Sequence, residues 1–90
     1  MPQRTAVVAS TSGLHARPAS VFVEAASALP VPVTVAKGDG PAVDASSILM
    51  VMTLGAEHGA EVVLTAEGEG AEDALDVLVA VVETNHDAVA

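Results

Sequence analysis

Hydrophobic and polar positions follow two different periods along this chain, and the switches between them mark its elements. From Thr5 to Ser10 the run TAVVAS is rich in β-branched residues and closes on the polar Thr11-Ser12-Gly13, which predicts a first strand and a turn. The period then becomes helical. Ala19, Phe22, Val23 and Ala26 recur at i, i+3, i+4 and i+7, one apolar stripe on a helix that runs from Ala16 and stops at Leu29-Pro30. Pro18 fits if it lies in the first turn, where its missing N–H would have had no intrahelical partner. Arg17, directly before that proline, is pushed away from helical ψ, which predicts an irregular helix start.

Val31, Val33 and Val35 alternate with Pro32, Thr34 and Ala36 and predict a second strand, with Pro32 placing it early or at a sheet edge. Lys37-Gly38-Asp39-Gly40 is a turn that favours a hairpin into a short third strand over Ala42 to Asp44. Ser46 or Ser47 can cap a short apolar helix, about Ser47 to Leu54, which Gly55 closes. Glu61 to Glu67 reads as a fourth strand with Val62, Leu64 and Ala66 on one face. Beyond Gly68-Glu69-Gly70, Ala71, Ala74, Leu75, Leu78 and Val82 form a second long helical stripe. Glu72 and Asp73 sit in its first turn, where the helix dipole favours negative charge. The order is βαββαβα, an α+β layer with helices on one face of a sheet and Thr5, Thr34 and Thr65 on the solvent side.

Composition narrows the picture. Ninety residues with 51% hydrophobic content make one domain, 1–90, and its core must be built from Val, Ala and Leu, because Phe22 is the single aromatic residue. With no cysteine, disulfides and thiolate chemistry are excluded. A formal charge of -9, twelve carboxylates against Arg4, Arg17 and Lys37, makes nucleic acid and anionic membrane surfaces poor partners. The first ten residues lack an apolar signal-peptide segment, and the run from Val77 to Val82 is far shorter than the roughly 20 residues a bilayer requires. The cytoplasm is the default location.

The candidate chemistry lies in Gly13-Leu14-His15-Ala16-Arg17-Pro18-Ala19-Ser20, which puts a histidine where a turn leads into a helix. Backbone N–H groups at a helix start lack intrahelical acceptors and bind anions. The amides of Ala16 and Arg17 are therefore available to a phosphate carried on the His15 imidazole, and the Arg17 guanidinium adds charge-assisted hydrogen bonds. Phosphoryl transfer needs mainly positioning and charge neutralisation, so one nucleophile, two amides and one arginine can suffice. No cofactor and no metal are expected. His58 and His86 match no standard metal-ligand spacing.

This octet, together with Ser47-Ile48-Leu49-Met50-Val51-Met52-Thr53-Leu54-Gly55 and the element order, resembles the HPr family, the histidine-containing phosphocarriers of the bacterial phosphoenolpyruvate-dependent sugar phosphotransferase system. The resemblance covers the whole chain. It implies an open-faced β-sandwich, a four-stranded antiparallel sheet with three helices on one side. It also implies that Enzyme I, charged by phosphoenolpyruvate, phosphorylates His15 at Nδ1, and that the group then passes to IIA domains of sugar permeases. Such a protein is a carrier rather than an enzyme, and a monomer is expected.

The same resemblance places Ser47, with Ser46 as the neighbouring alternative, at a position that a serine kinase phosphorylates in many relatives to regulate sugar use. Placing phosphate there would set charge beside an apolar surface. Relatives commonly carry a basic residue before that serine, where this chain has Ser46, and often basic residues at the positions of Glu24 and Ser27. The short helix is apolar nearly all round, more than one core-facing stripe needs. Val51 and Leu54 are assigned to the core, while Ile48, Leu49 and Met52, with Ser20, are assigned to partner docking. A regulatory binding module of the same fold is the second reading, and an acidic enzyme using His15 as acid or base is the third.

Overall fold

In the computed structural model, which describes residues 2–85, the chain forms β1 (Gln3–Val7), α1 (Ala16–Ser27), β2 (Val33–Lys37), β3 (Val43–Asp44), α2 (Ile48–Thr53), β4 (Glu61–Ala66) and α3 (Ala71–Val82). The strands form one antiparallel sheet in the order β1-β4-β2-β3. The three helices cover one side of it: α3 packs on β1 and β4, α1 on α3, and α2 on α1 and β3. This is the α+β open-faced sandwich in the order βαββαβα.

Periodicity explains why each helix sits where it does. In α3 the buried residues are Ala71, Ala74, Leu75, Leu78 and Val82, the stripe read from the sequence. In β4 the alternation is strict, with Val62, Leu64 and Ala66 buried. In α1 Pro18, Ala19, Phe22 and Ala26 are buried and Val23 is half-buried. Phe22, Leu64, Leu75 and Leu78 are the largest fully buried side chains. Each contributes about 1.5–3 kcal/mol of hydrophobic stabilisation, a modest core for a chain with a single aromatic residue.

Boundaries differ where tertiary pairing overrides local pattern. The first strand begins and ends earlier than Thr5 to Ser10, because β4 starts at Glu61, the register partner of Val7. Beyond it, Val8 N–H donates to the Ala60 carbonyl at 2.9 Å and Ala9 N–H to the Val82 carbonyl at 3.1 Å, so the chain leaves the ladder. Val31 and Pro32 precede the second strand, and β2 lies inside the sheet between β4 and β3. Pro32 therefore marks the strand's beginning and not a sheet edge. The third strand is shorter than predicted, Val43–Asp44, and Thr65 is half-buried on the sheet face where Thr5 and Thr34 are exposed.

The short helix α2 is framed as expected. Ser47 is its N-cap, with Oγ accepting from Met50 N–H at 3.4 Å, and Gly55 at φ 65° follows the Leu54 C-cap. No helix among the described residues is long and apolar enough to cross a membrane.

Candidate functional site

His15 is the N-cap of α1, with extended backbone (φ -132°, ψ 159°) and a side chain that makes no capping hydrogen bond. The residue is half-buried at the start of the helix. Ala16 follows at φ 50°, the one non-glycine residue with positive φ among the described residues. That conformation costs an L-residue roughly 1–2 kcal/mol. The irregularity expected at Arg17 thus falls one residue earlier. The chain turns from extended to helical through Ala16, so Arg17 is already helical and the Pro18 ring can pack into the core.

This start leaves two amides ahead of the helical ladder. The helical ladder opens with Ala19 N–H donating to the His15 carbonyl at 3.5 Å. Pro18, before it, has no N–H, so only the amides of Ala16 and Arg17 precede the ladder. Both are at exposed residues.

The loop in front of His15 is set by a distant segment. Gly13 N–H donates to the Ser10 carbonyl at 2.9 Å, and Leu14 N–H donates to the Ala56 carbonyl at 2.8 Å while its side chain is buried. Gly13 has φ 77°, and a Cβ on it would lie 2.4 Å from the Ala56 oxygen and 2.8 Å from Glu57 Cα. The sequence pattern reads Gly13 as a turn residue, and the Ala56–Glu57 segment lies more than forty residues away. Their packing against each other is a long-range contact with no local signal.

Two of the three cations are committed elsewhere. Arg4 is 3.2 Å from Glu72 and 3.5 Å from Asp76 across to α3, and Lys37 Nζ donates to the Gly55 carbonyl at 3.2 Å. Arg17 is exposed in the first turn of α1 and pairs with no carboxylate among the described residues.

The other predicted residues divide. Ser47 serves as N-cap, whereas Ser46 turns back, its amide and Oγ donating to Asp44 Oδ1 at 2.9 and 2.7 Å. The Ser46 hydroxyl first, and its amide second, hold the Asp44 carboxyl below its ordinary pKa. Ser20, Ile48, Leu49 and Met52 are all exposed, Leu49 at 75%, and Met50 joins them; Val51 is buried and Leu54 half-buried. His58 places Nδ1 3.3 Å from the Ser10 carbonyl, and no metal-binding group of His, Cys, Asp and Glu occurs among the described residues. His86 lies outside the described residues.

An open-faced sandwich with a histidine capping its first helix is the class of a small phosphocarrier domain, and similarity to known proteins specifies the class further. A family profile described as PTS HPr component phosphorylation site matches residues 2–84. The phosphocarrier protein HPr of Streptomyces coelicolor is 55% identical over 87% of this chain and 84% of its own length. The HPr-like protein Crh of Bacillus subtilis is 41% identical over 92% of this chain and 96% of its own. Among solved structures, phosphocarrier protein HPr from Bacillus anthracis superposes with a TM-score of 0.84 at 38% identity, covering 90% of this chain and 95% of that one. The chain belongs to the HPr family of phosphocarrier proteins of the phosphotransferase system.

Proposed function

We propose that the chain accepts a phosphoryl group from phospho-Enzyme I on His15 and passes it to IIA domains of sugar permeases. The observation that carries this reading is the helix start itself: His15 caps α1 without spending its ring on the cap, two amides stand ahead of the ladder, and Arg17 pairs with no carboxylate among the described residues. An unprotonated ring nitrogen, Nδ1 by family resemblance, attacks the phosphorus. The new P–N bond forms as the donor's bond breaks and the donor leaves with the electron pair. No proton moves while Nε2 keeps its hydrogen. The Ala16 and Arg17 amides and the Arg17 guanidinium offset the charge on the phosphoryl oxygens. Because they are already in place, transfer requires little reorganisation.

Docking uses Ser20 on α1 and the exposed Ile48, Leu49 and Met52 on α2, which packs against α1. The ninety residues act as one domain, a monomer in the cytoplasm. Ser47 is the candidate for phosphorylation by a serine kinase, with Ser46 as the alternative; the neighbouring Asp44 carboxylate opposes a second anion there.

The test is to incubate the chain with Enzyme I and phosphoenolpyruvate and to locate the added phosphate by mass spectrometry. An acid-labile, base-stable adduct on His15 is expected. A folded His15→Ala variant that still accepts phosphate would falsify the assignment. Arg17→Ala should slow transfer to a IIA domain by roughly 10²–10³-fold, the effect of removing one charge-stabilising donor, and unchanged transfer removes Arg17 from the mechanism.

A further inference from the structure

The loop before His15 is gripped at a second place, by the end of α3 and the residues that follow it. Val7 N–H donates to Glu83 Oε2 at 3.2 Å, and Ala9 N–H to the Val82 carbonyl at 3.1 Å. Ser10 Oγ donates to the Thr84 carbonyl at 3.2 Å, and Thr11 N–H donates to Asn85 Oδ1 at 3.3 Å. Asn85 answers with Nδ2 donating to Thr11 Oγ1, also at 3.3 Å. Val82 to Asn85 thus receive donors from the segment 7–11, and the carbonyls they offer lie where a helix has run out of its own donors. The same bonds that close α3 hold the loop.

The amide of Asn85 has a defined orientation. Thr11 N–H can only donate, so the side-chain oxygen must face it, which leaves Nδ2 to meet the hydroxyl. The grip acts on Ala9 to Thr11, while the Ala56–Glu57 segment acts on Gly13 and Leu14. Only Ser12 lies between the two holds, and His15 directly follows them.

We infer that Asn85 is a positioning residue for phosphoryl transfer, acting through Thr11 on the loop that presents His15; the inference rests on the reading of His15 as the phosphoryl acceptor. Rate depends steeply on the placement of a nucleophile, because small displacements forfeit the advantage of orientation. Both Asn85–Thr11 bonds are at the long end of the hydrogen-bond range and sit at exposed residues. Their loss therefore slows transfer several-fold and does not abolish it. Asn85 is on neither α1 nor α2, so its loss leaves docking intact: kcat falls and KM does not.

The experiment measures phosphoryl transfer from phospho-Enzyme I to the parent, Asn85→Leu, Asn85→Asp, Thr11→Val and the Thr11→Val/Asn85→Leu double variant, each with its urea midpoint. Asn85→Leu should lower kcat by about three- to tenfold, the scale set by a pair of ordinary hydrogen bonds, with KM within about twofold and the midpoint modestly lowered while the chain stays folded under assay conditions. Asn85→Asp keeps an oxygen for Thr11 N–H and can accept from the Thr11 hydroxyl, so it should restore most of kcat. Thr11→Val keeps the N–H bond and should lose less. The double variant should be no slower than Asn85→Leu, since both bonds are already gone. An Asn85→Leu chain with parental kcat, or one no slower than Asn85→Asp, overturns the inference while leaving His15 as the acceptor. If Asn85→Leu fails to fold, Thr11→Val decides, and parental kcat there overturns it too. A parent that takes no phosphate on His15 refutes the carrier reading and this inference together.

Discussion

Replacing Gly13 by alanine tests whether the loop that presents His15 is built against the Ala56–Glu57 segment. Two costs apply. An L-residue at φ 77° pays roughly 1–2 kcal/mol for the left-handed region. The new methyl would also stand 2.4 Å from the Ala56 oxygen and 2.8 Å from Glu57 Cα, both backbone atoms. Relieving such an overlap by shifting a packed loop costs about 1–3 kcal/mol. Lower flexibility of the unfolded chain returns about 0.4–1 kcal/mol. The net loss should be about 1–4.6 kcal/mol, a large share of a domain stability of order 5–15 kcal/mol. Gly38 supplies the control, because it has φ 56° with nothing within 4 Å of a built Cβ. Gly38→Ala bears the conformational cost alone, so its net loss should be about 0–1.6 kcal/mol. Equilibrium urea unfolding of both variants, compared at equal m-values, separates the two terms. Equal destabilisation of the two would show that no backbone crowds Gly13 and that the loop is not seated on Ala56, and the account of how His15 is presented would fall with it.

Three further outcomes follow from the same geometry. Ala16→Gly should raise stability by about 0.5–1 kcal/mol, since relief of the positive φ outweighs the entropy of a glycine in the unfolded chain; a loss in urea unfolding contradicts the strain. Asp44 has its folded-state pKa lowered, first by the Ser46 hydroxyl and then by the Ser46 amide. Its contribution is therefore present above the unfolded-state value and lost as pH falls through the lower folded one. Asp44→Asn should flatten that acid-side part of the stability profile, and an unaltered profile removes the effect. Leu49→Asp, at a side chain 75% exposed, should leave stability within about 0.5 kcal/mol while raising the KM for phospho-Enzyme I; a destabilised domain would instead assign Leu49 to the core.

What this sequence determined by itself was everything whose cause is local. The stripe of α3, the alternation of β4 and the Ser47 cap with Gly55 after α2 all depend on residues within a few positions of one another, and the structure reproduces them. The octet around His15 was legible for the same reason: turn, histidine, arginine and proline in the first turn are neighbours in the chain. Pairing and packing decided the rest. Where β1 ends depends on Glu61, some fifty residues away, and the interior place of β2 depends on two partner strands that no pattern in its own five residues names. The irregular helix start expected at Arg17 falls on Ala16 as a positive φ, with Pro18 buried behind it. Gly13 is required by Ala56 and Glu57, and Thr11 is held by Asn85, contacts that exist only once β4 and α3 have brought distant segments to the same end of the sheet. Local chemistry named the histidine; long-range packing set the backbone that holds it.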